Sequence, residues 1–155
     1  MLTFLARVQA SGLATTIGQS QMLTSVLSSV HLIGLTLLVG GMLVSSLRLM
    51  GVVLKSRPAS EVTSAPRRAV VVGLCVSVAS GLLLLAPRVT NAVQNGFFQL
   101  KMILLVVAGL FSFTVLRQIA QGREGSPFQM RVEGVLGLLL WFGVVLSGAA
   151  FILLE

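Results

Sequence analysis

The sequence predicts an all-α integral membrane protein, a four-helix bundle preceded by a short N-terminal interfacial helix. Three observations predict it. Of 155 residues 55% are hydrophobic and only 10% charged, whereas soluble domains carry about 25% charged residues. Mean hydropathy is +1.01. Four apolar runs lie between charged residues at lengths near the roughly 20 residues that a helix needs to cross a hydrocarbon core of about 30 Å.

Residues 1–21 form the expected interfacial segment. "MLTFLARVQASGLA" and the following "TTIGQSQ" are too polar for a span, and read as a short helix lying in the interface followed by a turn. A secretory signal peptide competes with this reading, but one Arg followed by a weak, interrupted apolar stretch argues against cleavage. Residues 22–155 hold the four-helix membrane domain. Its first span runs from Leu23 to Leu47 and ends at Arg48, and its second, Ala69 to Pro87, is bracketed by Arg68 and Arg88. The connection "KSRPASEVTSAPRR" between them, polar and holding Pro58 and Pro66, is expected to be a mobile connector. Only 15 residues separate Lys101 from Arg117, about 22 Å of helix, so the third span must start earlier, near Phe97. The fourth, Gly134 to Leu154, lies between Glu133 and Glu155.

The net charge of +7 comes from 11 Lys and Arg against 4 acids. In a membrane chain such an excess marks cytoplasmic loops, so no nucleic-acid partner is read from it. Eight cations border the connections after spans one and three, and three lie on the other side. That bias places the chain in a bacterial inner membrane as a multi-pass protein with both termini outside, its partners being the bilayer and a homo-oligomer or larger membrane complex. The single Cys75 excludes an intrachain disulfide and reads as a small packing residue.

His31 is the one ionisable group between Arg7 and Arg48. It stands 17 residues from Arg48, and Lys101 stands 16 from Arg117, so both sit about 25 Å above the cytoplasmic edge, in one layer of the outer leaflet. Burial and a neighbouring cation both disfavour a charged imidazole, so His31 is expected neutral with a free lone pair, the state that a metal or heme iron requires. Lys101 then suits a carboxylate such as a heme propionate. The plainer readings are an interhelical hydrogen bond for His31 and outward snorkelling for Lys101. Met102, beside Lys101, and Met22 offer thioethers for heme iron or copper(I), although Met is also an ordinary lipid-facing residue. Trp141, the only Trp, falls mid-span, where it packs in the bundle or stacks on a bound ring.

Gly34, Gly41, Ser45 and Arg48 share one helical stripe with His31 beside it, and Gly73, Ser77 and Gly81, then Gly143 and Ser147, repeat at four-residue spacing. Such faces let backbones touch. Arg48 ends the first span and "RVEG", Arg131 to Gly134, opens the fourth, so a structural ion pair between Arg48 and Glu133 is expected, with the helix dipole favouring the carboxylate. The chain has no Asp, no Tyr, no second His and no Cys pair, which removes a Ser/His/Asp triad, a usual zinc site and a carboxylate metal cage. No catalytic set is identified.

His31, "GG" at Gly40 and Gly41, "RL" at Arg48 and Leu49, "LK" at Leu100 and Lys101, and Arg131 with Glu133 together resemble a broad group of small four-span bacterial membrane proteins. That group includes uncharacterised families, the copper-resistance D-type proteins and, more distantly, protoporphyrinogen oxidases of the HemJ type. The resemblance covers residues 22 to 154 and implies heme b binding at positions matching His31 and Lys101. The chain departs from the oxidase pattern in lacking a further histidine in the third span and in carrying "VEGVL" where an Asn-Glu-x-Pro element belongs. The resulting expectation is heme b or a related redox cofactor held by His31, with Lys101 on a propionate and Met102 or Trp141 lining the pocket. A copper-handling protein and a cofactor-free accessory subunit are the alternatives.

Overall fold

The computed structural model describes residues 2–54, 56, 59–123 and 125–153. Every regular element among these residues is helical. The helices are α1 (Leu2–Gln9), α2 (Gly12–Gln19), α3 (Gln21–Leu49), α4 (Ala59–Leu85), which a 3-10 turn (Ala86–Arg88) joins to α5 (Val89–Ala92), α6 (Gly96–Ala120) and α7 (Pro127–Leu153). Among the described residues, four helices are long and apolar enough to cross a bilayer: Gln21–Leu49, Pro66–Ala92, Gly96–Ile119 and Pro127–Leu153. Their outward residues, such as Leu32, Ile33, Ile103, Leu110, Leu139 and Leu146, are large, apolar and exposed. A bilayer is the solvent that accepts such a surface.

The N-terminal segment holds two short helices where the sequence suggests one helix and a turn. Ser11 explains the break: its hydroxyl donates to the Val8 carbonyl at 2.6 Å, closing α1, and accepts from the Ala14 N–H at 3.3 Å, capping α2. The pair is docked on the end of the bundle. The Gln9 side-chain carbonyl accepts from both the Thr90 backbone N–H and its hydroxyl, and Ala14 and Ile17 are buried. Ser20 then caps α3 through the Leu23 N–H.

α4 begins at Ala59, ten residues before the expected span, so most of the polar stretch read as a connector is helix. Hydropathy marks the part of a helix that can lie in lipid, not the turns extending beyond it. Pro66 is tolerated within this extension, and its carbonyl and ring face Gly41 of α3. α7 likewise begins before the expected span. Ser126 and Gln129 form a reciprocal cap, the Gln129 N–H donating to Ser126 Oγ at 3.3 Å and the Ser126 N–H to Gln129 Oε1 at 2.9 Å, with Pro127 in the first turn. Glu133 therefore lies in the second turn, past the reach of the helix-dipole effect expected for it.

α3 is the central element. It packs along α4 and against α7, α6 packs on α7, and α4 and α6 barely meet. Small residues set the α3–α4 approach: a Cβ built on Gly73 would lie 2.6 Å from both the Gly34 carbonyl and the Leu38 nitrogen. A Cβ on Gly134 would lie 2.7 Å from the Ser46 carbonyl, which brings α7 equally close to α3. Leu38, Met42, Val70, Ala108, Trp141 and Val144 fill the middle of the bundle. The weak meeting of α4 and α6 leaves a seam.

Candidate functional site

Asn95 fixes one wall of the site. Its side-chain oxygen accepts from the Phe97 N–H at 2.9 Å and the Phe98 N–H at 3.4 Å, starting α6 at Gly96 and setting Lys101 just over one turn inside. The stem and ammonium of Lys101 cross α7 at Gly148, where a Cβ would come within 3.3 Å of Nζ. Gly148 thus keeps the lysine inside the bundle rather than on its surface. Lys101 is half-buried, and no hydrogen bond or ion pair of its ammonium is recorded among the described residues.

His31 is set by α4. Its Nδ1 lies 3.1 Å from Ser80 Oγ, and Ser80 Oγ lies 2.6 Å from the Val76 carbonyl. A serine has one proton to give. The short contact to Val76 commits it, so Ser80 accepts from His31 and Nδ1 carries the hydrogen. On the neutral ring the lone pair is then on Nε2. Gly81 makes room for the ring, since a Cβ there would lie 3.1 Å from His31 Cε1.

His31, Lys101 and Met102, three of the residues singled out from the sequence, line one cavity of about 110 Å³ in the seam between α4 and α6. Ser77, Gly81, Phe98 and Leu105 share its wall. Ser77 is 6% exposed and its hydroxyl is the one buried side-chain polar atom without a partner among the described residues. Among the described residues, no acidic side chain lines the cavity. It therefore offers one cation and one imidazole, a set suited to an anionic or acidic group, while the Ser77 hydroxyl is turned into the α3–α4 contact at Gly34.

Trp141 is placed elsewhere. It is 3% exposed, its Nε1 donates to Ser112 Oγ at 3.0 Å, and it belongs to the central core. The structure gives it the packing role, with a hydrogen bond that supplies its polar edge. Arg48 and Glu133 are both half-buried near the α3–α7 contact. Glu133 faces a crevice with Ser45 and Ser46. Ser77, Ser80 and Gly148 were not singled out as site residues from the sequence. Ser80 had a signal, since it precedes Gly81 of the small-residue stripe and follows Ser77 by three.

A family model, described as a family of unknown function (DUF6644), matches residues 4–153. No curated protein and no solved structure matches the chain. The uncharacterised side of the expected resemblance therefore stands, and the comparisons give no support to the copper-resistance D-type or HemJ-type side.

Proposed function

As a member of the DUF6644 family, matched over nearly its whole length, the chain is a multi-pass membrane protein, and we propose that it binds the acidic head of a membrane-soluble ligand in the cavity at His31 and Lys101. One observation carries this: among the described residues, a half-buried ammonium has no internal partner and faces a cavity lined by no carboxylate. Leaving a cation at that depth without an anion is costly. Lys101 supplies the charge, while Nε2 of His31 accepts from an acid O–H or a ligand hydroxyl.

The expected heme b agrees with this site in its donors and disagrees in size. A lone pair on Nε2 suits an iron and Lys101 suits a propionate, but about 110 Å³ is the room of three or four waters at about 30 Å³ each. A porphyrin requires α4 and α6 to stand further apart. Copper is disfavoured by the ammonium on the same wall, where the His31 imidazole and the Met102 thioether are the donors present. In the same proposal the chain lies in a bacterial inner membrane with both termini outside, supported by the charge bias of its loops. It assembles as a homo-oligomer or within a larger complex, and Arg48 pairs with Glu133 to fix the far end of the bundle.

Absorption spectroscopy and native mass spectrometry of the purified chain test the reading together. A colourless protein carrying an acidic adduct that Lys101→Met loses and Lys101→Arg keeps supports it. A Soret band that His31→Ala abolishes overturns it in favour of heme.

A further inference from the structure

The seam between α4 and α6 continues past the His31 cavity. Leu38 and Leu74 line that cavity and also the inner wall of a second one, of about 440 Å³, which opens toward the opposite end of the bundle. Arg67 of α4 and Arg117 of α6 stand on either side of its mouth, with Gln121 beside them. Both arginines are exposed, and no hydrogen bond or ion pair of either is recorded among the described residues. Below them the lining is apolar, Ser112 excepted, whose hydroxyl accepts from Trp141 at the floor.

We infer that this second cavity binds an anionic phospholipid, with its phosphate between Arg67 and Arg117 and one acyl chain lying in the seam against Trp141. Charge complementarity selects the head group: two planar guanidiniums with no partner among the described residues suit phosphate oxygens, which they can meet bidentately. Depth selects a lipid over a free anion. From Arg117 to Gly109, which also lines the cavity, there are eight residues, about 12 Å of helix, close to the roughly 15 Å of a single hydrocarbon leaflet. Basic pockets between helices at one membrane face are where anionic lipid head groups bind. Arg67, Arg117 and Trp141 do not line the His31 cavity, so either reading can fail alone.

Trp141 is the only tryptophan, which makes it a built-in probe. The full chain is reconstituted in phosphatidylcholine nanodiscs containing either phosphatidylglycerol or phosphatidylcholine with brominated acyl chains, at equal mole fraction, and Trp141 emission is recorded. Brominated phosphatidylglycerol is expected to quench several-fold more than brominated phosphatidylcholine. In R67Q/R117Q the two lipids become equal, while R67K/R117K keeps the preference. Equal quenching in the wild-type protein overturns the inference without recourse to any variant, as does a preference unchanged in R67Q/R117Q. Relief of quenching by millimolar inorganic phosphate overturns the lipid assignment in favour of a free anion.

Discussion

His31 Nδ1 on α3 lies 3.1 Å from Ser80 Oγ on α4, and the Ser80 hydroxyl donates to the Val76 carbonyl at 2.6 Å, which assigns the hydrogen of the His31–Ser80 bond to Nδ1. The relay orients the only imidazole in the chain and leaves Nε2 as its acceptor.

Because there is one histidine, ¹⁵N-histidine labelling gives a single pair of ring resonances. In wild-type protein Nδ1 is expected to be the protonated nitrogen and Nε2 the bare one. Ser80→Ala removes the acceptor, releases the tautomer and costs about 0.6 kcal/mol, with an upper bound near 1.7, as interhelical hydrogen bonds in membranes do. A wild-type spectrum with Nε2 protonated and Nδ1 bare contradicts the relay.

The small residues differ sharply in what they tolerate. Gly73→Ala forces a methyl to within 2.6 Å of the α3 backbone, whereas nothing lies within 4 Å of a Cβ on Gly40. Gly73→Ala is expected to cost about 1–3 kcal/mol, and Gly40→Ala less than about 0.5 kcal/mol. Reversible unfolding in mixed micelles measures both, and equal costs contradict the packing described.

Trp141 and Ser112 are joined at 3.0 Å in the core. A double-mutant cycle through Trp141→Phe and Ser112→Ala is expected to return a coupling of about 0.5–1.5 kcal/mol. The Soret region and adduct mass are expected unchanged in both variants, since neither residue lines the His31 cavity. Loss of the adduct in Trp141→Phe places the tryptophan in the ligand site after all.

Much of the site was legible in the sequence because charge marks depth in a membrane. Counting from Arg48 and Arg117 puts His31 and Lys101 in one layer, and one cavity holds both. The stripe of Gly34, Gly41 and Ser45 predicts the buried face of α3, and all three are buried. What the sequence hid is what depth cannot encode, namely angle and partner. Trp141 lies at a depth compatible with lining a cofactor pocket, yet its azimuth turns it to Ser112. Ser80 is one small polar residue among several, and only the crossing of α3 on α4 makes it the partner of His31. The early starts of α4 and α7 were hidden because hydropathy records lipid contact, while caps such as Ser126 with Gln129 record the helix itself.

The most direct test is the occupancy of the cavity at Lys101. Native mass spectrometry of the full chain released from membranes is expected to show a bound acidic adduct, reduced about ten-fold or more in Lys101→Met, a loss of about 1.4 kcal/mol, and retained in Lys101→Arg. Equal occupancy in wild type and Lys101→Met, or a wild-type protein without any adduct, contradicts the assignment of this cavity to an acidic ligand.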